Sequence, residues 1–127
     1  MQDSQLFEYA VIRIVPRVER EEFLNVGVIM YCAKQKFLQA EFKLNKKRIS
    51  HFCEKINVEE VEEHLKTFEK ICRGAEGSGP IGQLSIAERF RWLTAARSTI
   101  IQTSKVHPGF TKDAKKTLQK LLKQLVL

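Results

Sequence analysis

Residues Glu8–Pro16 read EYAVIRIVP, and after a charged link Phe23–Cys32 read FLNVGVIMYC. These two stretches decide the fold. The first is rich in β-branched and aromatic residues and stops at Pro16, which has no N–H to give a ladder. The second is an apolar run of strand length with Gly27 inside it. That predicts a central strand with a bulge, or a close backbone approach, at the glycine. Ala33–Lys36 turns the chain into a third segment, Phe37–Phe42 (FLQAEF). Links this short join antiparallel strands, because a parallel crossover takes about a dozen residues or more.

The middle of the chain changes period. Asn57 can cap a helix, Glu59, Glu60, Glu62 and Glu63 crowd its positive end, and Lys70 and Arg73 precede a terminating Gly74. Val61, Leu65, Phe68 and Cys72 form its buried stripe. Before it, Ile49, Phe52, Cys53 and Ile56 share a helical face behind an Asn45 cap. There Lys46, Lys47 and Arg48 stand in the first turn, against the helix dipole. Two readings of those cations stand: an anion site beside free backbone N–H groups, or exposed side chains that reach into water at little cost.

Residues 74–84 (GAEGSGPIGQL) are a glycine-rich connector; GxxxxGK[ST] is absent and the glycines follow a helix rather than a strand. Ser85–Glu88 is a capping box opening a short helix with Ile86, Phe90 and Leu93 on one face. Arg97–Ser104 (RSTIIQTS) returns to strand character. Thr111 is the expected cap of a last helix, apolar at Ala114, Leu118, Leu121, Leu122 and Leu125 and lysine-rich elsewhere. The expected architecture is α+β: an antiparallel sheet of about four strands with helices packed mainly on one face.

At 127 residues the chain is one domain, residues 1–127. No apolar run is long enough to cross a membrane, and the N-terminal residues lack a signal peptide's basic start and cleavage site. Cys32, Cys53 and Cys72 are odd in number and widely spaced, which excludes a disulfide framework or zinc ribbon and fits a reducing cytoplasm. The net charge of +7 is uneven, for residues 74–127 carry nine Lys/Arg against three Asp/Glu. A basic half attracts nucleic acid, acidic protein or anionic lipid, or serves as a solvated face.

One stretch concentrates polar chemistry: Arg89–Gly109, RFRWLTAARSTIIQTSKVHPG. Arg91, Arg97, Ser98, Gln102, Ser104 and His107 can all bind anionic or amide groups, arginine through its planar fork. In a strand, Ser98, Ile100, Gln102 and Ser104 share a face, lining either a pocket or solvent along a soluble edge. Arg97 is expected near Ser98, Gln102 or His107 around a shared cleft, clamping an anion or holding backbone carbonyls. Trp92 reads as a core residue rather than a stacking platform. His51, His64 and His107 lack metal-ligand spacing, no cofactor motif is present, and no nucleophile lies beside a base.

The patterns EYAVIRIVP, EEFLNVGVIMY and GPIGQLSIAERFRWLTAARSTIIQTSKVHPGFT resemble the small bacterial family known as domain of unknown function 3037, over nearly the whole chain from about Tyr9. Asn25, Gly27, Arg48, Phe90, Arg91, Trp92, Arg97, Ser98, Gln102 and His107 are the family-typical positions. Ala96 departs from the proline that often precedes the arginine. The resemblance implies a cytoplasmic accessory protein of no established activity, acting beside a HipA-like kinase-fold partner. The expected function is a non-enzymatic interaction module using the Arg91–His107 surface. Alternatives are a nucleic-acid- or nucleotide-binding domain using the basic half, and a phosphate-ester enzyme.

Overall fold

The computed structural model of the chain describes residues 4–97 and 99–127. Strands β1 (Gln5–Ile14), β2 (Leu24–Cys32) and β3 (Phe37–Phe42) come first. Helices α1 (Lys46–Phe52), α2 (Val58–Arg73) and α3 (Ile86–Leu93) follow, then the short strands β4 (Ile101–Thr103) and β5 (His107–Thr111) and the helix α4 (Ala114–Leu125). All strand pairs are antiparallel, in the order β3-β2-β1, and β4 and β5 share the other edge of β1. The α+β class is as expected.

Among the described residues the sheet has five strands rather than about four, because its last edge strand is broken. Ile12 pairs with Thr103 and Tyr9 with His107, so Ala10 and Val11 face the three residues Ser104, Lys105 and Val106. The extra residue bends the chain, as a bulge does. Strand character over Arg97–Ser104 therefore shrinks to Ile101–Thr103, and pairing resumes through Pro108 and Gly109, residues that propensity counts against a strand.

Side chains alternate between two cores. Ala10, Ile12 and Ile14 of β1 and Ile29 of β2 pack with Ile49, Val61, Leu65, Phe68, Phe90 and Leu93 of α1–α3. On the opposite face, Phe7, Val28, Met30 and Cys32 pack against Ala114 and Leu118 of α4 and Val126 beyond it. Three helices cover one face and one covers the other. A strand buried on both sides must be apolar at successive positions, which is why FLNVGVIMYC runs without alternation. Burial also pushes the Cys72 thiol up to about 12, so it stays protonated and unreactive.

Helix ends follow their sequence signals, with one correction. Asn45 and Asn57 accept from the backbone N–H of Arg48 and Glu60, Ser85 and Glu88 form the reciprocal box, and Gly74 closes α2 in the left-handed region. The cap of α4 is Asp113 rather than Thr111; its side chain accepts from Lys116 N at 3.2 Å. Thr111 is the last residue of β5, and its hydroxyl accepts from Asp113 N. Trp92 is a second correction: it is 41% exposed, since α3 buries Arg89, Phe90 and Leu93 instead.

At Gly27 both expected features occur together. Ile12 pairs with Gly27 while Arg13 pairs with Asn25, leaving Val26 as the bulged residue. A Cβ on Gly27 would stand 2.6 Å from the carbonyl oxygen of Glu41 and 2.9 Å from Cβ of Phe42. Neither the ladder oxygen nor the β3 backbone behind it can yield without disturbing the pairing. Gly27→Ala is expected to lower stability by more than ~1 kcal/mol in chemical denaturation. An unchanged midpoint would mean that β3 lies further from Gly27 than this packing requires.

Candidate functional site

Among the described residues, the polar side chains of the Arg89–Gly109 stretch do not converge on one cleft. Most are joints of the fold. Ser104 is buried where β4 gives way to β5. Its backbone N–H donates to Val11 O at 2.8 Å, and its Oγ accepts from Val11 N at 2.8 Å. The hydroxyl thus takes the place of the ladder acceptor lost at the bend, and itself donates to Lys105 O at 2.9 Å. A buried strand N–H left without that acceptor would cost about 1–3 kcal/mol.

Arg97 closes the end of α3. Its Nη1 donates to Leu93 O at 3.2 Å, its Nη2 donates to Trp92 O, and the guanidinium lies 4.2 Å over the Trp92 ring. Partial burial holds its pKa below the usual arginine range. A cation at the negative end of a helix satisfies carbonyls that have no intrahelical donor. Of the two roles open to Arg97 in the sequence, backbone binding is the one its geometry serves. Ser98 lies outside the described residues.

Gln102 stands opposite Arg13 in the register and donates through Nε2 to Thr99 O at 2.9 Å. Ile100 packs against the core and Ser104 is buried, so a polar row over 98–104 does not form among the described residues. Arg91 is exposed and grips Glu8 with two hydrogen bonds of 2.9 and 2.8 Å. His107 pairs with Tyr9, its ring 5.4 Å from the tyrosine ring. Glu8 and Tyr9 are adjacent in β1 and point to opposite faces, so Arg91 and His107 lie on opposite sides of the sheet.

The basic cluster at α1 also divides. Arg48 reaches across to the end of α4 and donates to Val126 O at 2.8 Å, while Lys46 and Lys47 are exposed on a helix of seven residues. Asn45 already holds the Arg48 N–H, so the first turn keeps fewer open donors than an anion site needs.

Residues 9–126 match the family described as protein of unknown function (DUF3037). The chain belongs to that family. No curated protein and no solved structure matches it.

In this DUF3037 chain a cleft of about 700 Å³ lies between the β1–β2 link and the α1–α2 connection. Pro16, Phe52, Ile56 and Ile100 give it apolar wall, Cys53 lines it, and the Arg20–Glu22 ion pair stands at its rim. None of the described candidate residues lines it. A second hollow of about 300 Å³ holds Arg13, Phe23 and Gln102. Sequence reasoning passed over Arg13, although a charge inside VIRIV was a legible signal of something unusual in a central strand. It also passed over Arg89, which is buried and donates to Ile71 O at 3.3 Å, at the end of α2.

The capping role of Arg97 is open to a direct check. Arg97→Ala and Arg97→Lys should both lower the thermal midpoint, the alanine variant by the equivalent of about 1–2 kcal/mol and the lysine variant by less. Equal midpoints for wild type and Arg97→Ala would return the guanidinium to the pool of ligand-binding groups.

Proposed function

We propose that the chain is a non-enzymatic interaction module that binds a second protein, for which the family resemblance suggests a HipA-like kinase-fold protein. One observation carries this reading. Leu6 and Phe110 stand opposite each other on β1 and β5 and are 52% and 72% exposed. Contiguous exposed apolar surface marks interaction sites, and this cross-strand pair supplies the start of such a surface. They lie on the face of the sheet that carries α3, two positions along each strand from Glu8 and Pro108. The Arg91–Glu8 pair borders them, so an apolar centre meets a polar rim, as protein interfaces require.

The partner engages side chains rather than extending the sheet. Among the described residues β5 pairs only with β1, so its outer edge is open. Pro108 lacks the N–H a new strand would need there, which blunts the edge against β-addition.

A second reading rests on α4. Lys115, Lys116, Lys120 and Lys123 are all exposed, and none is ion-paired among the described residues. Such a face suits a polyanion. The two readings separate by salt. Capture of the kinase-fold partner should persist at ~200 mM salt and fall about tenfold or more with Phe110→Asp, a variant whose thermal midpoint stays that of wild type. Nucleic-acid binding would instead show a steep log–log salt dependence worth several phosphates and would ignore Phe110. Partner capture that is indifferent to Phe110→Asp and Leu6→Asp would place the interface elsewhere.

A further inference from the structure

The chain has eight arginines, and seven have acceptors. Arg17, Arg20, Arg73 and Arg91 pair with glutamates, and Arg48, Arg89 and Arg97 donate to carbonyls at helix ends. Arg13 alone has neither hydrogen bond nor ion pair with the described residues, and its Nε is buried without a partner. It sits on the central strand between Asn25 and Gln102, with its guanidinium 3.8 Å from the centroid of the Phe23 ring.

The surroundings leave Arg13 facing space rather than packing. Its side of the sheet is the one that α4 covers, but α4 packs on β2 and β3, and its last turn stops at Asn25, which donates to Leu125 O at 3.2 Å. Beyond that point Arg13, Phe23, Gln102 and Thr103 line the hollow of about 300 Å³. Buried donors are almost always satisfied; Nε is closed to solvent, so a ligand in the hollow would meet the two Nη groups of this aromatic-backed guanidinium, which have no acceptor among the described residues. Burial also lowers the pKa of Arg13, the direction expected of a cation desolvated without compensation.

We propose that this hollow is a binding site for a small carboxylate, held on the Arg13 guanidinium. The charge count selects that class over phosphate. Arg13 is the only cation of the lining, while Glu21 and Glu22 both stand in the wall; Glu22 is neutralised by Arg20, but Glu21 has no ion-pair partner among the described residues. The uncompensated negative charge beside the single positive one repels a dianion about twice as strongly as a monoanion. The planar carboxylate also matches the planar fork.

The experiment titrates acetate and inorganic phosphate separately into the full chain at constant ionic strength, following the Nε–H resonance of Arg13 by NMR and the thermal midpoint. Acetate should give a saturable shift at roughly millimolar concentration, the scale open to so small a probe, and raise the midpoint. Phosphate should bind more weakly. Arg13→Gln should abolish the rise in midpoint, and Glu21→Gln should tighten acetate binding. A wild-type Nε–H that moves linearly or not at all, phosphate binding tighter than acetate, or a midpoint rise that survives Arg13→Gln would each overturn the proposal. Because the wild-type titration is decisive alone, a poorly folded Arg13→Gln chain does not rescue it.

Discussion

The pairing of β1 on both edges is the constraint on which the rest depends. One edge carries β2 along most of its length, and the other carries β4 and β5 end to end. A strand so placed has no solvent to satisfy its backbone, so every N–H must find an acceptor within the protein. Where the outer strand bends, the backbone alone cannot supply one, and the Ser104 hydroxyl does. The bend in turn lets β5 lie over the N-terminal half of β1, with Phe7 covering Gly109 so closely that a Cβ there would meet its ring at 2.5 Å. The fold is thus closed by one side-chain oxygen and one missing side chain.

Arginine plays the corresponding part for the helices. The carbonyls at the ends of α2, α3 and α4 each receive a guanidinium, from Arg89, Arg97 and Arg48. In two of these the donor belongs to another element, so the bond also fixes one helix against another: Arg89 of α3 ties to α2, and Arg48 of α1 ties to the end of α4. A planar, permanently charged fork suits this better than lysine, because it can hold carbonyls at a helix end while stacking on an aromatic ring. The consequence for function is direct. Much of the polar chemistry concentrated between Arg89 and His107 is spent inward, which leaves the apolar pair on β1 and β5 and the unpaired Arg13 as groups whose exposure or lack of a partner the fold does not use.

That division explains what was legible in the sequence. Local signals were reliable where local physics decides: the caps at Asn45, Asn57 and Ser85, the stripe of α2, and Gly74 as its terminator. Gly27 announced a close approach because nothing else excuses a glycine among large apolar residues. The β4–β5 interruption was not legible, since it depends on what β1 presents across the gap, and Pro108 and Gly109 argue locally against any strand. The same limit applies to the candidate site. Arg97, Gln102 and Ser104 have side chains suited to ligands, and nothing in their spacing tells whether the acceptor is a ligand or a carbonyl of the chain. Trp92 was misplaced because bulk suggests burial, whereas the short α3 has room for one buried face only.

Ser104 is the joint between the two halves of the outer strand, and the amide of Val11 reports on it. Its hydrogen-exchange rate in the native chain, measured residue by residue, is the most direct test. If the Ser104 hydroxyl completes the ladder, Val11 N–H exchanges as slowly as the bonded amides of β1 on either side of it. Exchange at the rate of an unprotected loop amide would mean that the ladder is open at this point and that Ser104 is not the residue that closes it.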